Sequence, residues 1–295
     1  MGRCAHEEYI HQLIIELLGI SIIIFALQMI YRQIQPPQSL TSYVRYYGLI
    51  GDDNSFNQQK TFKIIADGCP GLFFQENPDS FFQEGRNKLP QLFLHGLTTK
   101  HSQKTAKGNY RNIGVYLQPH ALKAIFGIDA NELTDSCIDL NEVIKNDLSE
   151  QLLSENNMDK RIDILSHFLI RHIAKNKYRE NLKASYAVST INTDNDEGLY
   201  RVQTELNLSE RGLERMFKNN VGVPPKLFFR ICRFQAALDY VRKQKFTSLT
   251  ELAYQHSYAD QSHFIREFRE FTGTAPKQFL AQADEQSLNF PEWKF

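Results

Sequence analysis

Four cysteines in 295 residues (Cys4, Cys69, Cys137 and Cys232) form no Cys-x-x-Cys pair and stand with no histidines at zinc-finger spacing. This excludes a disulfide framework and a structural zinc module and suits a reduced, cytoplasmic compartment. An excess of one charge is also lacking, since 34 Lys/Arg balance 34 Asp/Glu. The whole chain is therefore no polycation, and contact with an acidic partner has to be regional. Long apolar runs are missing too. Leu17–Tyr31 is an uncharged run of 15 residues, short of the roughly 18–20 that a spanning helix needs. Extending it backward meets Glu16, Gln12 and His11, which are costly at membrane depth, while Glu7 and Glu8 oppose a secretory signal. His95 and His101 flank a strand end without an H-x-H pattern, and His167 and His172 lie on different helical faces. No metal, cofactor or catalytic constellation is expected.

What is present suffices for two domains, with 42% hydrophobic and 23% charged residues. From Lys60 to Pro119, brief apolar runs such as "GLFFQE", "QLFLHG" and "NIGVYLQP" alternate with turn residues, which predicts a small β-barrel or sandwich of six to eight strands. Its aromatics (Phe62, Phe73, Phe74, Phe81, Phe82, Phe93, Tyr110, Tyr116) read as core more readily than as a ligand pocket. After Pro119 the pattern turns helical. "HALKAIFGI" predicts a short helix closed by Gly127, "DLNEVIKNDLSEQLL" an amphipathic helix, and "MDKRIDILSHFLIRHIAKNKY" a longer one with Ile162, Leu165, Leu169 and Ile173 in line. The domain boundary falls within 175–198, around a short helix from Leu182 and the polar stretch 189–198.

The C-terminal third overlays on itself at a shift of 51 residues. Ser209 falls on Asp260, Leu213 on Phe264, Arg215 on Arg266, Phe217 on Phe268, Lys218 on Arg269, Gly222 on Gly273, Pro225 on Pro276, Lys226 on Lys277 and Phe228 on Phe279. The shared pattern is one supersecondary unit used twice. Ser209 and Asp260 cap a helix, Leu213/Phe217 and Phe264/Phe268 form its buried stripe, and Gly222 and Gly273 end it. A shorter helix precedes each cap, at 199–206 and 248–255, so each copy reads as a helix-turn-helix. Such a unit offers the exposed N-terminal residues of its second helix to base edges in the major groove. These are Ser209, Arg211, Glu214, Arg215 and Lys218 in the first copy, and Gln261, Ser262, Ile265, Arg266 and Arg269 in the second. Arginine suits guanine, glutamine adenine, and an apolar side chain the thymine methyl. A solvated helix face would explain any single charge but not the same arginine in both copies. Residues 198–283 carry 13 Lys/Arg against 8 Asp/Glu, a modest basic bias. Leu227, Ile231, Phe234, Leu238 and Val241 predict one linker helix of about 18 residues, about 27 Å long, between the copies.

"LSERGLERMFKNNVGVPPKLF", "RFQAAL" and "ADQSHFIREFREFTGTAPKQF" resemble the DNA-binding domain of the AraC/XylS family of bacterial transcription regulators. The resemblance implies sequence-specific binding to double-stranded promoter DNA, commonly with activation through RNA polymerase. Ser257 stands where the family has glycine in the second turn, Val202 where it has a small residue, and Gly212 lies inside the first recognition helix. The first half more loosely resembles a regulatory domain from one branch of the family, on an opening "MIYRQIQPPQSLTSYVRYY" and a middle "IGVYLQPHALKAIFGIDANELTD". This implies an α+β chain with a β-barrel-like N-terminal domain and an all-α C-terminal domain. The divisions are 1–28 as an apolar extension ahead of a native start at Met29, 29–178 for regulation or homodimer formation, 182–283 for DNA binding, and 284–295 as a tail. No effector can be named from the resemblance. Two alternatives stand beside it: a membrane-anchored regulator of the same type, and a DNA-alkylation repair protein, which would need an activated methyl-accepting cysteine.

Overall fold

The computed structural model describes residues 29–52, 59–83, 87–176, 182–193, 197–243, 245–283 and 289–290. The apolar runs of the first half form β1 (Met29–Ile34), β2 (Val44–Asp52), β3 (Gln59–Ile64), β4 (Gly71–Gln75), β5 (Phe81–Gln83), β6 (Asn87–Lys88), β7 (Leu92–His95), β8 (Ser102–Lys107), β9 (Tyr110–Leu117) and β10 (Cys137–Asp139). β11 (Asn289–Phe290) returns from the segment expected as a tail and pairs parallel with β3. The strands divide into a sheet ordered β1-β2-β9-β4-β7-β10 and another ordered β11-β3-β8-β5-β6. Neither sheet closes on itself among the described residues, so two open sheets stand where a barrel was one expectation. The extra strands are mostly two or three residues long, too short for a period to show in sequence.

Alternation assigns the two faces of the larger sheet. Tyr47, Leu49, Leu72, Ile113 and Val115 pack into a core with Leu122, Ile125, Leu165 and Phe168. Gly48, Ile50, Phe73, Gly114 and Tyr116 instead line the space facing the second sheet. A Cβ at Gly114 would lie 2.8 Å from the Phe73 ring and 2.9 Å from that of Tyr116, so glycine makes room there for both rings.

The helix Ala121–Phe126 ends at Gly127 with φ 74°, as its sequence predicts. The segment expected as one amphipathic helix breaks into Leu140–Val143 and Leu148–Ser154. Asn146 causes the break: its amide donates to Ile144 O at 2.7 Å and its Oδ1 accepts from Leu148 N at 3.0 Å, which favours a turn over a helix interior. Met158–Lys175 is continuous and capped by Asn157. No helix among the described residues is long and apolar enough to cross a membrane. Residues 1–28, with most of the apolar stretch, lie outside the described residues, and Met29–Tyr31 belong to β1.

The second half is helical: Leu182–Thr193, Glu197–Leu206, Glu210–Val221, Pro225–Arg242, Leu249–Gln255, Gln261–Thr272 and Pro276–Ala283. Its core also takes in Ile65, Ala66 and Leu97 from the first half. Gln235 on the linker helix donates to Ala66 O, and the domains therefore share buried surface.

Candidate nucleic-acid interface

Both copies of the repeat form a short helix, a turn and a capped helix. In the first, Glu197–Leu206 leads to Glu210–Val221, and in the second, Leu249–Gln255 leads to Gln261–Thr272. The leading helices close alike: Leu208 N reaches Gln203 O at 3.0 Å and Tyr258 N reaches Ala253 O at 2.9 Å. Asn207 (φ 49°) and Ser257 (φ 56°) hold the left-handed position between, where such a closure places one residue. Counting from those residues, the copies are offset by 50. The caps Ser209 and Asp260 are offset by 51, so the second turn carries one extra residue.

Ser209 accepts from Gly212 N at 3.1 Å and Asp260 from His263 N at 2.7 Å, satisfying amides at each recognition-helix start. Gly222 (φ 100°) and Gly273 (φ 77°) end the two helices in the left-handed region, as the repeat predicts. The linker helix, Pro225–Arg242, matches the length read from its apolar spacing.

Arg211, Glu214, Arg215 and Lys218 are exposed on the first recognition helix, and Ser262, Arg266 and Arg269 on the second. None of these five cations forms a salt bridge with a described residue, which leaves them available to phosphates or base edges. Three expected contacts are less free. The Ser209 oxygen serves its cap, Gln261 Oε1 accepts from Thr250 at 2.7 Å, and Ile265 packs partly against the core.

The buried carboxylate that fixes the second helix was not legible in the sequence. Glu267, 2% exposed, accepts from Arg230 at 2.8 Å and from Arg233 at 2.9 and 3.1 Å. Arg230 also bonds Glu270 at 2.5 Å, and the Arg233 guanidinium lies 4.2 Å from the Tyr258 ring centroid. Both arginines belong to the linker helix, so charge and stacking bind the second recognition helix to it. Met216 occupies the equivalent position in the first copy, and a 51-residue comparison keyed on identities passes over that difference.

The surroundings of the buried cysteines were equally hidden. The Arg45 guanidinium lies 3.2 Å from Cys69 Sγ, a basic neighbour that the sequence around Cys69 does not reveal. Burial still pushes the Cys69 thiol up to about 11, with Arg45 opposing, and that of Cys232 up to about 12. Among the described residues no cluster of His, Cys, Asp or Glu could hold a metal ion.

Residues 203–282 match the family described as a helix-turn-helix domain, and residues 32–139 match a domain of unknown function (DUF6597). The C-terminal third is thus a helix-turn-helix DNA-binding domain of the AraC type. Comparison with curated proteins finds no match. Among solved structures, one of ToxT from Vibrio cholerae is 14% identical, with a TM-score of 0.42 over 80% of this chain and 98% of that one. Another, wild-type ToxT of strain SCE256 bound to an unsaturated fatty acid, is 14% identical with a TM-score of 0.41 over 79% and 94%. At those identities and scores the likeness carries no argument about function.

Proposed function

We propose that the chain is a cytoplasmic transcription regulator that seats its two recognition helices in successive major grooves of promoter DNA. The observation that carries this reading is the pair Arg215 and Arg266, at one position of the repeat, both exposed and without a salt bridge among the described residues. A linker helix of 18 residues joins the two units, about 27 Å of rigid rod against about 34 Å between grooves on one DNA face. In this reading the N-terminal domain senses an effector or forms a homodimer, the chain acts as an activator through RNA polymerase, and it performs no catalysis. Selection of bound duplexes from a random pool, followed by footprinting, tests the reading. It requires two protected half-sites about 10 base pairs apart, and a single protected half-site contradicts it.

The alternative of a methyl-accepting cysteine fares worse. Such chemistry needs a thiolate, and burial pushes the Cys69 thiol up to about 11 and raises that of Cys137 as well, with Lys104 opposing. A membrane anchor would rest on residues outside those described, and fractionation of cells making the full chain decides it.

A further inference from the structure

Gln261 is the first residue of the second recognition helix and is half-buried at its edge. A glutamine that pairs with adenine uses both ends of its amide, Oε1 accepting from N6 and Nε2 donating to N7. In this chain one end is already engaged. Thr250, exposed on the leading helix Leu249–Gln255, donates its hydroxyl to Gln261 Oε1 at 2.7 Å. A threonine hydroxyl has one hydrogen to give, so this bond fixes which end of the amide stays open. Nothing among the described residues engages Nε2, and its two hydrogens remain available.

The first copy of the repeat has no counterpart to this arrangement. Glu210 stands at the position of Gln261, and its carboxylate faces Lys226 Nζ on the linker helix at 3.5 Å. A carboxylate only accepts, so a donor at this position belongs to the second unit alone. In the free chain water competes for the Thr250–Gln261 bond, and the bond is worth little. A DNA surface displaces that water, and an oxygen left there without a donor becomes costly. With Thr250 serving Oε1, the base opposite has to satisfy Nε2. Guanine presents two acceptors, O6 and N7, and thymine only O4. Adenine brings an amino group for which no acceptor is left, and cytosine presents only a donor.

We infer that Thr250 is a positioning residue that makes Gln261 a donor-only reader, so that the second recognition helix selects guanine where a free glutamine would select adenine. Base choice at this pair is then set by a side chain on the leading helix rather than by the recognition helix alone. The two halves of the operator differ there, since Glu210 gives the first unit no such donor. The inference rests on the regulator reading and refines it at one base pair.

The test selects duplexes bound by the full chain from a random pool. It then compares the parent, Gln261→Ala, Thr250→Val and Thr250→Ser on duplexes that differ from the selected site at one pair at a time. The pair read by Gln261 is the one whose preference disappears in Gln261→Ala, and the parent should prefer guanine there. Thr250→Val keeps the shape of the side chain and removes the donor, which should move that preference from guanine towards adenine by about tenfold. Preferences at all other pairs should stay as in the parent. Thr250→Ser retains a hydroxyl and should retain guanine. A uniform loss of affinity in Thr250→Val, with no change of base, would make the threonine merely structural and overturn the inference. So would any base other than guanine in the parent, or a Gln261→Ala variant that keeps every preference. In each of those cases a site has been selected and the regulator reading survives, whereas a chain that selects no duplex overturns both.

Discussion

Thr134 donates its hydroxyl to the carbonyl of Gly222 at 2.8 Å, fastening the N-terminal domain to the end of the first recognition helix. A Cβ at Gly222 would lie 3.0 Å from Ala130 O, and one at Gly273 would lie 2.7 Å from the His101 ring. The N-terminal domain thus abuts both copies of the repeat at the same position. Thr134→Val should cost about 1 kcal/mol, because it leaves a buried carbonyl without its donor. Hydrogen exchange should then quicken at the end of the first recognition helix and stay unchanged in the second. Unchanged exchange at both ends would make the contact incidental.

Glu267→Gln should destabilise the chain by roughly 2 kcal/mol, since a buried carboxylate shared by Arg230 and Arg233 loses its charge while both guanidiniums remain. Urea unfolding measures the loss. The first unit has no equivalent ion pair, so its DNA contacts should survive the substitution.

Ser257→Gly should stabilise by about 1 kcal/mol, because Ser257 holds φ 56°, a conformation that costs side chains other than glycine. Asn207→Gly should gain less, as asparagine tolerates the left-handed region better. Equal gains at both positions in thermal melts would contradict this ranking.

Burial raises the Asp67 carboxyl to about 7, with Cys69 N–H and Arg45 opposing. In the unfolded chain it ionises near pH 4. Between about pH 4 and pH 7 the folded state therefore holds a proton that the unfolded state has lost, and this residue's contribution to stability falls as pH rises. Asp67→Asn can still accept from the Cys69 amide and should remove that slope, gaining over the parent at pH 8 but little at pH 5. Urea midpoints at both pH values check it, and an equal difference at both would mean that Asp67 is ionised in the fold.

The helical half was legible because its signals are local. The caps at Ser209 and Asp260, the glycines at 222 and 273, and the linker stripe all fall within a few residues of what they specify. The N-terminal half was less so. Two-residue strands carry no period, and the break at Asn146 depends on a side-chain bond that competes with an otherwise good helical pattern. Glu267, Thr134 and His101 acquire their roles only from partners far away in the chain.

The most direct measurement of the central claim is operator binding by Arg215→Ala, Arg266→Ala and the double variant across salt concentrations. Each single variant should lose roughly 1–3 kcal/mol and relax specificity at one half of the site, and the two losses should add approximately. A contact to phosphate alone would weaken all sequences alike and flatten the salt slope by about one. Single variants that bind like the parent would contradict the account, because neither recognition helix would then lie in a groove.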